Sequence, residues 1–260
     1  MNRNPVKIRL LQGGVAVGTY VAEFYTAGLP GIIAATGADF VIFDYEHSGW
    51  ATEALRMQIA LTRGVGLVPL VNSPGDHYER EGLLLDLGAA GLMVPHVETA
   101  EQARTIVTAT RYAPAGRRGG SFGIAHDGFR AGNVWETVTD ANDSVLIIAK
   151  LESRRAIDNA EAILAVPGID VALVSGFDLS LDMGLMGQLN HPDLAAAGRN
   201  VLAICQRLGK VAGCPAYDPE TAQRRLAEGY RFIQYSWDIA LLQEGLKAGV
   251  AAVRAADSAR

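Results

Sequence analysis

Ionisable side chains in this sequence collect immediately behind short apolar runs. Asp44-Tyr45-Glu46-His47 follows one run, and Asn72 closes the next. Lys150-Leu151-Glu152 ends a third, Ser175-Gly176-Phe177-Asp178 follows a fourth, and Cys214-Pro215-Ala216-Tyr217 ends a fifth. The interiors of the runs carry almost no such groups. Glu152 and Asp178 end successive runs of this set, so a parallel sheet would bring them side by side. Two neighbouring carboxylates repel unless a proton or a cation lies between them, and a hard cation with waters completing its shell is a natural solution. The other reading is that each caps the helix that follows it. Spacing alone leaves both open. His47 is a candidate general base, because imidazole changes charge nearest neutral pH, with Asp44 and Asp86 as candidates to orient it. A lone His behind a strand is more often a structural hydrogen-bonding group. His77, His96 and His191 fall in loops or helix starts and read as structural, whereas His126 sits in a long, unusual loop.

The elements that would position these residues are short apolar strands alternating with amphipathic stretches. Strands are predicted at Gly14–Thr19, Phe40–Asp44, Gly66–Asn72, Gly91–Pro95, Val145–Leu151, Val171–Ser175, Lys210–Cys214 and Phe232–Tyr235. Most are continuous apolar runs, the pattern of parallel strands covered on both faces. Glu98–Thr110 and Pro219–Glu228 are the clearest helices between them, and a last helix is predicted over Ile239–Ala255. This order predicts an α/β protein, a single (β/α)8 barrel over residues 1–260, whose active site would lie at the C-terminal ends of the strands. A doubly wound open sheet uses the same units and is the alternative. The connection from Arg111 to Ser144 is too long and too rich in Gly and Arg for an ordinary link. It reads as an active-site loop or an oligomer contact.

Composition narrows the function. Lys and Arg total 23 against 28 Asp and Glu, a formal charge of -5, which argues against a nucleic-acid partner while leaving small anionic substrates possible. Cys205 and Cys214 have no metal-ligand spacing and read as buried thiols. The first ten residues lack the apolar core of a signal peptide, and no apolar run is long enough to cross a bilayer. The expectation is a cytoplasmic protein without a membrane partner.

Five motifs in order then resemble one family. They are Asp-Tyr-Glu-His at 44–47, Leu-Leu-Asp-Leu-Gly at 84–88, Arg-Tyr-Ala-Pro-Ala-Gly-Arg-Arg-Gly at 111–119, Leu-Glu-Ser-Arg at 151–154 and Phe-Asp-Leu-Ser-Leu-Asp-Met-Gly at 177–184. Together they resemble the HpcH/HpaI aldolases. That resemblance implies a metal-dependent (class II) aldolase barrel, commonly a hexamer whose last helix exchanges with a neighbour. It implies that Glu152 and Asp178 bind Mg2+, Mn2+ or Co2+, that a 2-oxo acid such as pyruvate chelates this metal, and that the metal stabilises the enolate. His47 would move protons with the help of an Asp, the matching acids being Asp44 and Asp86. The amides of Ser175-Gly176-Phe177 would help hold the substrate carboxylate.

Three residues depart from the family pattern. Asn72 stands where the family has an Arg that stabilises the enolate, Lys150 where it has a Gln, and Phe177 where it has a small residue. Losing such an Arg removes a permanent cation and a forked donor, typically worth about 3 kcal/mol in the transition state. Lys150 and Glu152 are two apart in a strand and share a face, so Lys150 is expected to restore that charge from another direction. The alternative is a Lys that pairs with Glu152 or Asp178 in a site that has lost its metal. A Schiff-base role for Lys150 would leave the two acids idle. The expected function is cleavage or formation of a carbon–carbon bond next to a carbonyl, with an aldehyde or 2-oxo acid as substrate. Decarboxylation of a 2-oxo acid through the same enolate, or a non-catalytic metabolite-binding barrel favoured by Asn72, are the alternatives.

Overall fold

The computed structural model describes residues 4–75, 78–130 and 132–258; His77 lies outside them. Eight strands pair in sequence order, all parallel, and β1 pairs with β8 to close the barrel. They are β1 Ala16–Val21, β2 Phe40–Asp44, β3 Val68–Asn72, β4 Gly91–Val94, β5 Leu146–Leu151, β6 Val171–Val174, β7 Val211–Ala216 and β8 Phe232–Trp237. The closed sheet bears out the barrel over the open alternative.

Strand parity separates two cores. Ala16, Phe40, Ile42, Leu70, Met93, Ile148, Leu173 and Phe232 form the interior cluster, while Val41, Phe43, Val71, Leu92, Ile147 and Ala149 pack outward under the helices. The Phe40 and Phe232 rings stack at 4.3 Å inside the barrel. Gly18 lets β1 approach, since a Cβ there would collide with the Phe40 carbonyl and ring. The same parity that puts Phe40 and Ile42 inside puts Asp44 at the top of the interior. It puts Asn72 above Leu70, and Lys150 above Ile148. The uppermost interior layer is therefore polar, at the C-terminal mouth.

Several boundaries differ from the sequence reading. A helix at Pro5–Leu11, not expected from its mixed polarity, is capped by the Asn4 side chain and plugs the N-terminal end of the barrel with Val6 and Leu10. Its turn, with Gly13 at φ 79°, starts β1 two residues later than predicted. The last helix, Asp238–Ser258, buries only Asp238, whose carboxylate accepts from the amides of Ala22, Glu23 and Phe24. Beyond it Leu242, Leu246 and Val253 are exposed. The two cysteines are free and buried, as expected.

The long connection does not lie over the mouth of its own barrel. It leaves the C-terminal end of helix Ala100–Thr110 and returns to the start of β5, and so covers the N-terminal side. Arg63, at the end of helix Thr52–Thr62, donates to the Ala125 carbonyl, and Arg118 pairs with Asp86 at the end of helix Tyr78–Asp86. The active-site-loop reading therefore fails within one chain. His126 is engaged there by the Ser121 carbonyl at 2.6 Å.

Candidate active site at the barrel mouth

The polar top layer is built on one carboxylate, Glu46, in the loop after β2. Its Oε2 accepts from Lys150 Nζ at 3.0 Å and from Asn72 Nδ2 at 2.9 Å. Asn72 is fully buried and also donates toward Asp44 Oδ1 at 3.1 Å and the Tyr20 hydroxyl at 2.7 Å. Its own Oδ1 has no hydrogen-bond partner. Lys150 reaches from β5 past Glu46 to Glu152, with Nζ 3.3 Å from Oε2. Strand parity thus does what the sequence suggested: Lys150, Glu152 and Asn72 meet in one pocket.

Asp44 plays a different part from the one expected. It accepts from the backbone amides of Glu46 and His47, so it fixes the loop rather than the His47 ring. The ring is largely exposed and faces Glu46, with Nε2 3.5 Å from Oε2. Asp86 is engaged by Arg118 at 2.6 Å, at the opposite end of the barrel from the mouth. Within one chain it therefore does not meet His47.

Glu152 and Asp178 do come together. Burial first, and then the Asp178 charge, push the Glu152 carboxyl above its ordinary pKa, against the opposing pull of Lys150 and of the His96 amide. Burial pulls Asp178 the same way, but the Ser175 hydroxyl and the Lys150 charge act against it, and Asp178 is held below the usual range. Ser175 Oγ donates to Asp178 Oδ2 at 2.7 Å. Lys150 is held above its ordinary value: burial alone would lower it, and the charges of Glu152 and Glu46 overcome that. The Tyr20 hydroxyl is pushed far up by burial and by Asp44, and so stays protonated beside Asn72.

A divalent cation suits this donor set. Glu152 is 3 % exposed, and its Oε2 has no hydrogen-bond partner. The Lys150 ammonium pairs with that oxygen at 3.3 Å, the contact expected of the alternative reading of Lys150. That ammonium is shared with Glu46, so the buried carboxylates still leave room for a further positive charge. Among the described residues no ready cluster of three or more His, Cys, Asp or Glu side chains is formed. Water or substrate oxygens would have to complete the shell of an ion held by two carboxylates. Gly176 and Phe177 begin the short helix Gly176–Asp182. Phe177 does not fill the pocket; it is half exposed and meets Tyr217 edge-on, with ring centroids 6.2 Å apart.

Three participants escaped the sequence reading. Glu46 lies inside a quoted motif, but nothing in its spacing marks it as the common acceptor. Tyr20 reads as an ordinary strand residue. His96 was read as structural, yet its amide donates to Glu152 Oε1 at 2.7 Å and its ring lies within 4 Å of both Glu152 and Glu46. Its place directly after an apolar run was the available signal. Beside this network a cavity of about 470 Å³ opens between Tyr20, Tyr25, Trp50, Trp237, Asp44 and His47.

A closed parallel barrel with an ionisable layer at its C-terminal mouth is the architecture of a barrel enzyme. Residues 22–244 match the model of the HpcH/HpaI aldolase/citrate lyase family. The chain is 36% identical over 242 residues to a hydroxypyruvate/pyruvate aldolase of Chromohalobacter salexigens, covering 93% of this chain and 94% of that one. It is 35% identical to a 2-keto-3-deoxy-L-rhamnonate aldolase of Klebsiella pneumoniae, over 94% of this chain and 90% of the other. Among solved structures, the HpcH/HpaI aldolase from Desulfitobacterium hafniense superimposes with a TM-score of 0.92 at 31% identity, covering 96% of both chains. The chain belongs to the HpcH/HpaI aldolase/citrate lyase family, and it is an enzyme of the aldolase and lyase type.

Proposed function

We propose that the chain makes and breaks a carbon–carbon bond between a small 2-oxo acid, of the pyruvate or hydroxypyruvate kind, and an aldehyde, with a divalent metal (Mg2+, Mn2+ or Co2+) held by Glu152 and Asp178. The observation that carries this reading is the convergence at the mouth of Lys150 and Asn72 on Glu46, with Lys150 also reaching Glu152. The bound cation supplies Lewis-acid stabilisation of the enolate charge. The names of the relatives given above support the substrate class.

The chain's own residues divide the remaining work. The Lys150 ammonium, kept charged by its two carboxylates, faces the place where enolate charge develops and stands in for the Arg that Asn72 replaces. Asn72 holds Glu46 and the Tyr20 hydroxyl in register. His47 carries the proton to and from the substrate, its exposed ring free to exchange with solvent. Asp44 sets the loop that carries His47. Ser175 orients Asp178, and the amides from Ser175 to Phe177 hold the substrate carboxylate.

Asp86 and the long connection would act across a subunit contact. We infer a homo-oligomer, a hexamer by family likeness, because the last helix leaves the barrel with an apolar stripe uncovered. Among the described residues no helix is long and apolar enough to cross a membrane. We place the enzyme in the cytoplasm, acting on free small molecules.

The test is release of pyruvate or hydroxypyruvate from a panel of 4-hydroxy-2-oxo acids, coupled to a dehydrogenase, with each metal added in turn. Metal-dependent release is expected. Tight binding of these acids without any turnover would favour a binding barrel. Release of carbon dioxide from oxaloacetate alone would favour a decarboxylase.

A further inference from the structure

His96 is the second imidazole at the mouth. It follows β4 and Pro95 with φ 54°, in the left-handed region, which residues carrying a Cβ rarely occupy. Such a conformation persists only where its surroundings over-determine it, and it tends to occur at ligand clamps. The determining contact here is short. The His96 amide donates to Glu152 Oε1 at 2.7 Å, while the ring is mostly exposed and stands farther off, with Nδ1 3.4 Å from the same oxygen. Glu152 Oε2, by contrast, has no hydrogen-bond partner and lies toward the Lys150 ammonium. One oxygen of the carboxylate is tied down by an amide, and the other has only the Lys150 ammonium, 3.3 Å away, beside it.

We propose that His96 is a positioning residue: its left-handed backbone turns the amide onto Glu152 Oε1 and so fixes the carboxylate with Oε2 presented to the cation. This rests on the reading of Glu152 as a metal ligand. A carboxylate free to rotate would offer either oxygen and lose order on binding. Outer partners of this kind typically set affinity by about 10–100-fold. The backbone conformation, rather than the imidazole, carries the effect.

Substitution separates the two. Glycine takes the left-handed conformation without steric cost and keeps the amide while removing the ring. A β-branched residue resists that conformation. Mn2+ affinity by calorimetry and the visible absorption of bound Co2+ are measured for wild type, His96→Gly and His96→Val, with far-UV circular dichroism as the check on folding. His96→Gly is expected within about threefold of wild type with an unchanged Co2+ spectrum. His96→Val is expected to bind about 10–100-fold more weakly with a shifted spectrum. A Gly variant that loses tenfold or more, or a Val variant that binds like wild type, overturns the proposal. If the Val variant does not fold, amide hydrogen exchange of the segment 96–98 decides: protection in wild type that is released in Glu152→Ala supports the bond, and equal exchange in both overturns it. Wild-type protein that binds neither ion overturns the metal reading itself, and this proposal with it.

Discussion

Exchanging Asn72 and Lys150, two of the three residues that depart from the family pattern, tests the charge arrangement at the mouth. Lys150 Nζ and Asn72 Nδ2 contact the same oxygen of Glu46, at 3.0 and 2.9 Å, so a change at one is felt at the other. Lys150→Gln removes the ammonium of a side chain that is 10 % exposed and flanked by two carboxylates. Breaking a buried pair from one side costs about 3–5 kcal/mol, and a bound metal offsets part of that. A loss of about 3 kcal/mol in transition-state stabilisation corresponds to about 10²-fold in kcat/KM. Asn72→Arg alone puts a second cation beside Lys150 and abandons the bonds to Tyr20 and Asp44. Overpacking of this kind costs about 1–3 kcal/mol of stability, and the same amount felt in the transition state would lower kcat/KM about 5–150-fold. Acting independently, the two changes would multiply. The double variant instead rebuilds a single cation facing the metal, and should exceed the multiplied expectation by about 0.5–3 kcal/mol of coupling. The assay is kcat/KM for pyruvate release at saturating metal in all four proteins. Independent, multiplying losses would refute the idea that Lys150 replaces the missing guanidinium.

Four further outcomes are expected. Glu152→Gln and Asp178→Asn should each abolish tight Mn2+ binding in calorimetry and abolish turnover while leaving the circular dichroism spectrum unchanged; undiminished affinity in both would remove these residues as ligands. His47→Ala should slow proton exchange at the substrate by about 10²–10⁴-fold with little change in substrate affinity, and an unchanged exchange rate would transfer the role elsewhere. Replacing Leu242 and Leu246, both exposed on the last helix, with Glu should convert an oligomer to smaller species in light scattering; a wild-type monomer at all concentrations would contradict the assembly. Finally, burial raises the Cys205 and Cys214 thiols from 9.0 to about 12. A raised pKa means that their contribution to stability is complete below pH 9 and is lost as pH climbs toward 12, at up to about 1.4 kcal/mol per pH unit for each thiol. Urea unfolding should show this decline above pH 9, and a Cys205→Ala, Cys214→Ala protein a shallower one.

The sequence carried the strands because parallel strands buried on both faces are continuous apolar runs, and β2 and helix Pro219–Glu228 were read to the residue. Strand parity also carried the meeting of Lys150 with Glu152. The helix Pro5–Leu11 was hidden because it is short and only two of its residues, Val6 and Leu10, are buried. Glu46 and His96 were hidden for another reason: each enters the site through a loop conformation. Residue spacing does not encode the left-handed backbone of His96, nor the Asp44 contacts that turn the 44–47 loop inward. Asp86 was legible as a motif, but its position at the far end of the barrel depends on where its helix ends.

The most direct test of metal-assisted enolisation at this mouth is solvent exchange into pyruvate. The protein is incubated with pyruvate in deuterium oxide and the methyl signal is followed by proton NMR. Loss of that signal is expected with at least one of Mg2+, Mn2+ or Co2+, to be stopped by a chelator and to be absent in Glu152→Gln. No exchange with any of the three metals, or exchange that survives both the chelator and the substitution, would contradict the account.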